Sequence, residues 1–279
     1  MAHTTPARPF LKWAGGKSRL LSQLEPLFPK TFTGYHEPFV GSGAVYFRLR
    51  ALRPDLRRVR LTDSNEELIN CYSALRDSAE AVIRLLARHK QQHSRDHYYA
   101  ARAQLPDGLG SAARAARFIY LNKTCYNGLY RVNQSGQFNV PMGRYVNPTI
   151  FDAGELRQAS AALQNVALNV ADFWDVTRLA RRGDFVYFDP PYHPLSLTAN
   201  FTSYTVAAFG EPHQRQLADV YRALDRKGCR VMLSNSWTPF VLQLYEGYDQ
   251  IEVKAARAIN SKSARRGKVS EVVVLNYKP

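Results

Sequence analysis

The chain is poor in cysteine, has no long apolar run, and is nearly free of acid over two long stretches. Each scarcity removes a class of protein. Of its 279 residues only three are cysteines, Cys71, Cys125 and Cys229. They are odd in number, lie far apart and form no metal-spaced pair. That excludes a disulfide framework and predicts reduced structural thiols in a cytosolic protein. The histidines show no ligand spacing either, so no metal is expected. No apolar run approaches membrane-spanning length, and Met1 to Phe10 lacks the apolar segment of a secretory signal, so neither membrane insertion nor export is expected. Repeats and low-complexity segments are absent. No apolar stripe demands a partner subunit, which makes a monomer the expectation.

The missing acids matter more. Net charge is +15, and it is concentrated. Between Val82 and Tyr145 lie Arg84, Arg88, Lys90, Arg95, Arg102, Arg114, Arg117, Lys123, Arg131 and Arg144, opposed only by Asp96 and Asp107. A second cluster, Lys254, Arg257, Lys262, Arg265, Arg266 and Lys268, contains no acid. Evenly spread basicity would mean solubility alone. Two concentrated patches point to a polyanion.

A hydrophobic content of 45% supports a true core. Both ends of the chain alternate short apolar strands with helical patterns, which marks an α/β protein with a mostly parallel sheet. The expected strands are Tyr35 to Phe39, Val59 to Thr62, Val166 to Val170, Phe185 to Phe188, Arg230 to Ser234, Ile251 to Val253 and Val272 to Tyr277. In the middle, Leu68, Ile69, Tyr72 and Leu75 recur at helical spacing, as do Val82, Ile83, Leu85 and Leu86. Asp77 with Glu80 three residues on reads as a capping box between those two helices. A third helix is expected from Ala112 to Asn122. The Gly/Asn-rich stretch from Tyr126 to Gln137 reads as a β-hairpin or paired turns. The expected organisation is therefore a discontinuous α/β domain, residues 1–66 and 157–279, carrying a basic, mainly helical insertion at 67–156.

Chemistry concentrates at strand ends. Asp189-Pro190-Pro191-Tyr192 follows the apolar run Phe185 to Phe188. The prolines remove two backbone donors, so a carboxylate, a backbone carbonyl and an aromatic face converge where open α/β sheets place their ligands. Two acceptors match the two N–H groups of a nucleobase amine, and Tyr192 offers a stacking surface. The bland alternative is a strand ending in a rigid turn. Glu37 to Gly43 ends the first strand and opens a helix, with Gly41 and Gly43 allowing close approach of a ligand. Asp63 ends the next strand, 20 residues beyond Gly43, where a carboxylate suits two ribose hydroxyls. The third glycine of the dinucleotide pattern is missing, so a nucleoside-bearing cofactor other than NAD fits better. Trp13 and Lys17 precede a helix, and could cover an apolar or cationic group and neutralise a carboxylate, or serve as a staple and a solvated lysine. Asp172, followed by Phe173, could accept an adenine amino group or cap the helix that starts there.

Together these residues resemble the Dam-type DNA adenine N6-methyltransferases, whose order is cofactor motif, recognition insertion, then D-P-P-Y. The likeness runs from Phe10 to Tyr277. It includes Lys12 to Lys17, Glu37 to Gly43, Asp63, Tyr126 to Arg131, Phe138 to Pro141, Gly143 to Tyr145, Asp189 to Tyr192 and Asn200-Phe201-Thr202. The resemblance implies a Rossmann-like sheet whose last strand is antiparallel, an S-adenosylmethionine cofactor, and double-stranded DNA as partner. By it, Trp13, Lys17, Asp63 and Asp189 contact the cofactor, Phe39, Gly41 and Gly43 wrap its methionine portion, and Asp172 and Phe173 sit near its adenine. Asp189, Pro190 and Tyr192 are the catalytic set. Asn127, Leu129, Arg131, Pro141 and Tyr145 form the reading surface, and that segment resembles GATC methylases in particular. A non-catalytic DNA-binding protein would account for the basic patches but not for the acidic clamp. Cytosine N4, RNA and protein glutamine are the competing acceptors. The first and last of these are associated with Ser- or Asn-led, Trp-ended variants of the motif.

Overall fold

The computed structural model describes residues 6–194, 209–256 and 268–279. Asn200 to Thr202 and the basic residues Arg257, Lys262, Arg265 and Arg266 lie outside the described residues. The strands in chain order are β1 (Tyr35–Glu37), β2 (Val59–Asp63), β3 (Val166–Val170), β4 (Phe185–Phe188), β5 (Arg230–Ser236), β6 (Asp249–Ala256) and β7 (Lys268–Leu275). The helices are α1 (Leu21–Leu24), α2 (Ala44–Leu52), α3 (Glu66–Gln91), α4 (Arg95–Ala103), α5 (Ser111–Thr124), α6 (Ala153–Ala162), α7 (Val176–Leu179), α8 (Glu211–Arg226) and α9 (Pro239–Leu244).

The strands form one seven-stranded sheet in the order β3-β2-β1-β4-β5-β7-β6. β1 runs parallel to β2 and β4, and β4 parallel to β5. β7, last in the chain, is antiparallel to both of its neighbours. The architecture is therefore α/β and Rossmann-like, with the reversed final strand. β4 shows why the chain folds this way. Phe185, Val186, Tyr187 and Phe188 are all fully buried, as a central parallel strand covered on both faces requires. β1 ends at Glu37 rather than Phe39, because Pro38 has no N–H for the ladder. β6 and β7 are longer than the apolar pattern indicated. They pair from Asp249↔Leu275 to Ala256↔Lys268, and the polar residues of β6 concealed its length.

The chain forms two compact units. One comprises Met1–Gly16, Gly41–Asp55 and Asp63–Val170. Here α3 packs along α5 and α6, with Leu68, Tyr72, Leu75, Val82 and Leu86 buried on one side of α3 and Ala115, Ile119 and Tyr120 buried on α5. The boundary expected at Asp77 is present as a kink, where Ser78 leaves helical geometry (φ −147°, ψ 42°) and two helices meet within Glu66–Gln91. The capping box is not formed, because Asp77 pairs with Arg76 and Glu80 with Arg157. The Tyr126 to Gln137 stretch forms turns closed by single antiparallel bridges, Cys125↔Met142 and Val132↔Phe138, rather than by extended strands. Backbone bonds from the Asn133 N–H to the Gln137 carbonyl and from the Asn139 N–H to the Arg131 carbonyl flank the second bridge, and the Asn133 side chain also accepts the Ser135 and Gln137 N–H groups.

The other unit comprises Lys17–Val40, Leu56–Thr62 and Ala171–Pro279. α8 lays Leu217, Ala218, Tyr221 and Leu224 into a core with Val186, Phe188, Val231, Leu233, Val272 and Val274. Buried Asp184 anchors the start of β4, accepting hydrogen bonds from Thr33, Arg58 and the Arg181 N–H. All three cysteines are free and buried, and burial pushes the Cys125 and Cys229 thiols up to about 11.

Candidate active site

In the unit built on β4, the strand delivers Asp189 to the carboxyl edge of the sheet. Lys17 Nζ lies 2.7 Å from Asp189 Oδ1, with the lysine side chain 3% exposed. Burial raises the Asp189 carboxyl above its ordinary value, Lys17 opposes that rise, and Glu271 adds to it. The same ammonium sits 4.7 Å from the centre of the Tyr192 ring. The structure thus brings Lys17, Asp189 and Tyr192 together, and Pro190 is buried between them in sequence.

A set of buried polar residues that the sequence did not single out holds this segment residue by residue. Gln214 Nε2 donates to the Pro191 carbonyl at 2.9 Å, and Asn235 Nδ2 donates to Gln214 Oε1 at 2.9 Å. Asn235 Oδ1 accepts the His193 N–H at 3.2 Å, and Ser236 Oγ donates to the His193 carbonyl at 2.7 Å. Gln214 and Asn235 are both 0% exposed, so the bond between them is made out of reach of water. Gln214→Leu removes two of them and strands a carbonyl and an amide. It is expected to cost about 3 kcal/mol of stability, read from the denaturant midpoint. A loss under about 0.5 kcal/mol, the size of an ordinary surface change, would refute the role.

Phe39 stacks on Phe173 (centroids 5.5 Å apart, 22° between planes) and meets Phe209 edge-on. Asp172 does not cap the helical turn it precedes, since its side chain makes no cap hydrogen bond. It lines a cleft of about 220 Å³ together with His36, Glu37, Arg60, Thr62 and Asp175.

In the other unit the glycine turn is built for close approach. Gly41 and Gly43 have φ of 47° and 67°, and a Cβ on Gly41 would stand 2.8 Å from Trp13 Cδ1. The Tyr72 hydroxyl holds the Gly41 carbonyl at 3.1 Å. Asp63 accepts the Gly41 N–H through Oδ2 (3.3 Å) and the Asn65 N–H through Oδ1 (3.0 Å). Burial lifts its carboxyl to about 6 against those hydrogen bonds. Each oxygen retains a lone pair for a hydroxyl donor. A turn that only glycine can make, beside such a carboxylate, fits a ligand with vicinal hydroxyls. Trp13 stacks with Tyr130 (5.9 Å, 23°) and Phe118 (6.3 Å, 28°).

Asn127, Leu129, Arg131, Pro141 and Tyr145 are all exposed. Arg131 is aimed by Asn139, whose Oδ1 accepts its Nε–H at 2.7 Å. Lys12 Nζ lies 4.4 Å from the Tyr145 ring centre. Buried Asn122 ties these segments together, accepting the Lys12 N–H (2.8 Å) and donating to the Lys12 and Gly128 carbonyls. Gly128 serves the turn itself, since φ is 65° and a Cβ would strike Lys12.

The sheet, the acidic clamp at the end of β4 and the glycine turn define the class as a Rossmann-like α/β methyltransferase. Residues 13–259 match the family model of the D12 class N6 adenine-specific DNA methyltransferases, and the chain belongs to that family. Two type II methyltransferases, M1.LlaDCHI of Lactococcus lactis subsp. cremoris and M.MjaIII of Methanocaldococcus jannaschii, are each 42% identical to it. The first alignment covers 97% of this chain and 95% of the relative, the second 97% and 99%. The DNA adenine methylase of Escherichia coli K12 is 36% identical over 98% of this chain and 96% of its own length. The enzyme is an adenine-specific DNA N6-methyltransferase, which implies a DNA substrate and a methyl donor. Among the described residues no helix is long and apolar enough to cross a membrane.

Proposed function

We propose that the enzyme methylates N6 of an adenine extruded from duplex DNA, within GATC, with S-adenosylmethionine as donor. The observation that carries this reading is the clamp at the end of β4, a buried carboxylate followed by two prolines and a tyrosine whose ring is held in place. A target amine inside a duplex is out of reach, so the base must leave the stack. Tyr192 stacks on the flipped base and recovers about 1–3 kcal/mol of the unstacking cost.

The amine lone pair is delocalised into the purine ring. Asp189 and the Pro190 carbonyl accept its two N–H groups and draw the nitrogen towards tetrahedral geometry. Asp189 also stabilises the positive charge that develops on nitrogen. When bound, S-adenosylmethionine supplies a methyl group activated by its sulfonium. Asp63 would take its ribose hydroxyls, Gly41 and Gly43 the approach of its chain, Lys17 its carboxylate, and Asp172 and Phe173 its adenine, with Trp13 and Phe39 as apolar walls. Within a recognition insertion at 67–156, Asn127, Leu129, Arg131, Pro141 and Tyr145 face the bases. Arginine pairs bidentately with guanine and asparagine with adenine, and the other basic residues neutralise phosphates. The enzyme acts as a cytoplasmic monomer on this reading.

Methyl transfer from labelled S-adenosylmethionine to unmethylated duplex DNA, followed by sequencing of the modified bases, tests it. N6-methyladenine confined to GATC is expected. Modification of another tetranucleotide would remove the specificity assignment while keeping the chemistry, and transfer to cytosine would remove both.

A further inference from the structure

We propose that Glu271 is a positioning residue of the methyl-transfer site, fixing the axis of the Tyr192 ring and so the place at which it receives the target base. The inference rests on the reading of Tyr192 as a stacking platform. Tyr192 Oη donates to Glu271 Oε2 at 2.6 Å, a short bond strengthened by the carboxylate charge. The para oxygen lies on the ring's own χ2 axis, so anchoring it sets χ1 and the direction of the ring axis, while Lys17 over one face limits rotation about that axis.

The fold explains how an acid so far along the chain reaches the site. β7 runs against the parallel strands, so its early residues stand at their carboxyl edge, and Glu271 pairs with Ser236, the last residue of β5. Val272 and Val274 bury into the core beside it, which pins the register and with it the carboxylate. Had β7 been parallel, its opposite end would have met Tyr192.

The arrangement has an electrostatic cost that speaks for function. Glu271 and Asp189 each raise the Tyr192 hydroxyl, after burial, and Glu271 raises the Asp189 carboxyl. Lys17, paired with Asp189 and lying over the Tyr192 ring, is the cation that offsets the two acids. A neutral acceptor would anchor the ring without crowding a second carboxylate against Asp189. The carboxylate provides the stronger acceptor and keeps the phenol protonated as its donor. With the hydroxyl engaged and Lys17 over one face, the opposite face is what the ring offers a base.

Single-turnover methylation, together with the fluorescence of 2-aminopurine at the target position, tests this on E271A, E271Q, Y192F, Y192A and the double variant Y192F/E271A. E271A is expected to lower the single-turnover rate about tenfold and to reduce the fluorescence of the flipped base. Cofactor and DNA affinities should stay within about twofold, with E271Q intermediate. Because both changes remove one bond, Y192F/E271A should be no slower than Y192F. Multiplying defects, or E271A at the wild-type rate, would overturn the proposal. Should E271A not fold, Y192F removes the bond from the other side, and wild-type rate and fluorescence in Y192F would overturn it equally. Y192A separates the two readings. A wild-type rate there rejects the stacking role itself, whereas an impaired Y192A beside an unaffected E271A rejects only the anchor.

Discussion

Asp189→Ala lowers kcat for methyl transfer by about a thousandfold while leaving duplex DNA affinity within a few-fold of wild type. The rate loss follows from what the carboxylate is placed to do. On the proposed mechanism it accepts a hydrogen bond from the amine and opposes charge that appears on nitrogen only as the methyl arrives. Removal of one preorganised group of this kind costs about 10²–10³-fold in rate, and here the hydrogen bond and the countercharge go together. DNA affinity is governed by contacts elsewhere, chiefly basic side chains on phosphates. The variant also removes the 2.7 Å ion pair of Lys17, whose side chain is 3% exposed, so a lower melting temperature accompanies it. Asp189→Asn separates the effects, because it keeps one acceptor oxygen without the charge. Rates are to be compared at saturating cofactor and DNA, with binding measured independently. A kcat within about tenfold of wild type in the alanine variant would remove Asp189 from the chemistry.

How much of this could be read beforehand depended on the kind of interaction. β4 was legible because four consecutive apolar residues, then an acid and two prolines, leave few conformations open, and the structure keeps it at Phe185–Phe188. The conformations of Gly41 and Gly43 and the placement of Asp63 were legible for a related reason, since they follow from backbone freedom and from position at a strand end. Glu271 was not, because its partner is 79 residues away in sequence and only an antiparallel last strand makes them neighbours. Gln214 and Asn235 are joined by a hydrogen bond across 21 residues, and no local pattern marks an amide as buried rather than solvated. Between the two helices of α3 the break was legible and its chemistry was not, since Ser78 kinks the chain there. Asp77 and Glu80 have the spacing of a capping box, but each found an arginine instead. The turns at Tyr126–Gln137 were legible as turns. That their pairing stops at single bridges, with the Asn133 side chain taking two of the N–H groups, is a detail that composition alone leaves open.

Cofactor binding weakens below about pH 6 in the wild-type enzyme and becomes flat and weak in Asp63→Ala. Burial has lifted the Asp63 carboxyl to about 6, above its ordinary value, despite hydrogen bonds from Gly41, Asn65 and Ser64. The folded protein therefore holds this proton more tightly than the unfolded chain. Its contribution to stability is fully present below the unfolded value and is lost as pH rises through about 6. Ligand binding runs the other way. On the proposed reading, ribose hydroxyls donate to the ionised form, so binding favours deprotonation and is expected to be strongest above about pH 7. Below about 6 the dissociation constant rises about tenfold per pH unit, and binding releases up to one proton. Loss of the carboxylate forfeits hydrogen bonds to a charged group, worth about 2–3 kcal/mol, or about a hundredfold in affinity. Calorimetry in buffers of different ionisation enthalpy reads both quantities. A wild-type affinity that is level from about pH 5 to 8, or an alanine variant that keeps the pH dependence, would place the titrating group elsewhere and remove Asp63 from the ribose.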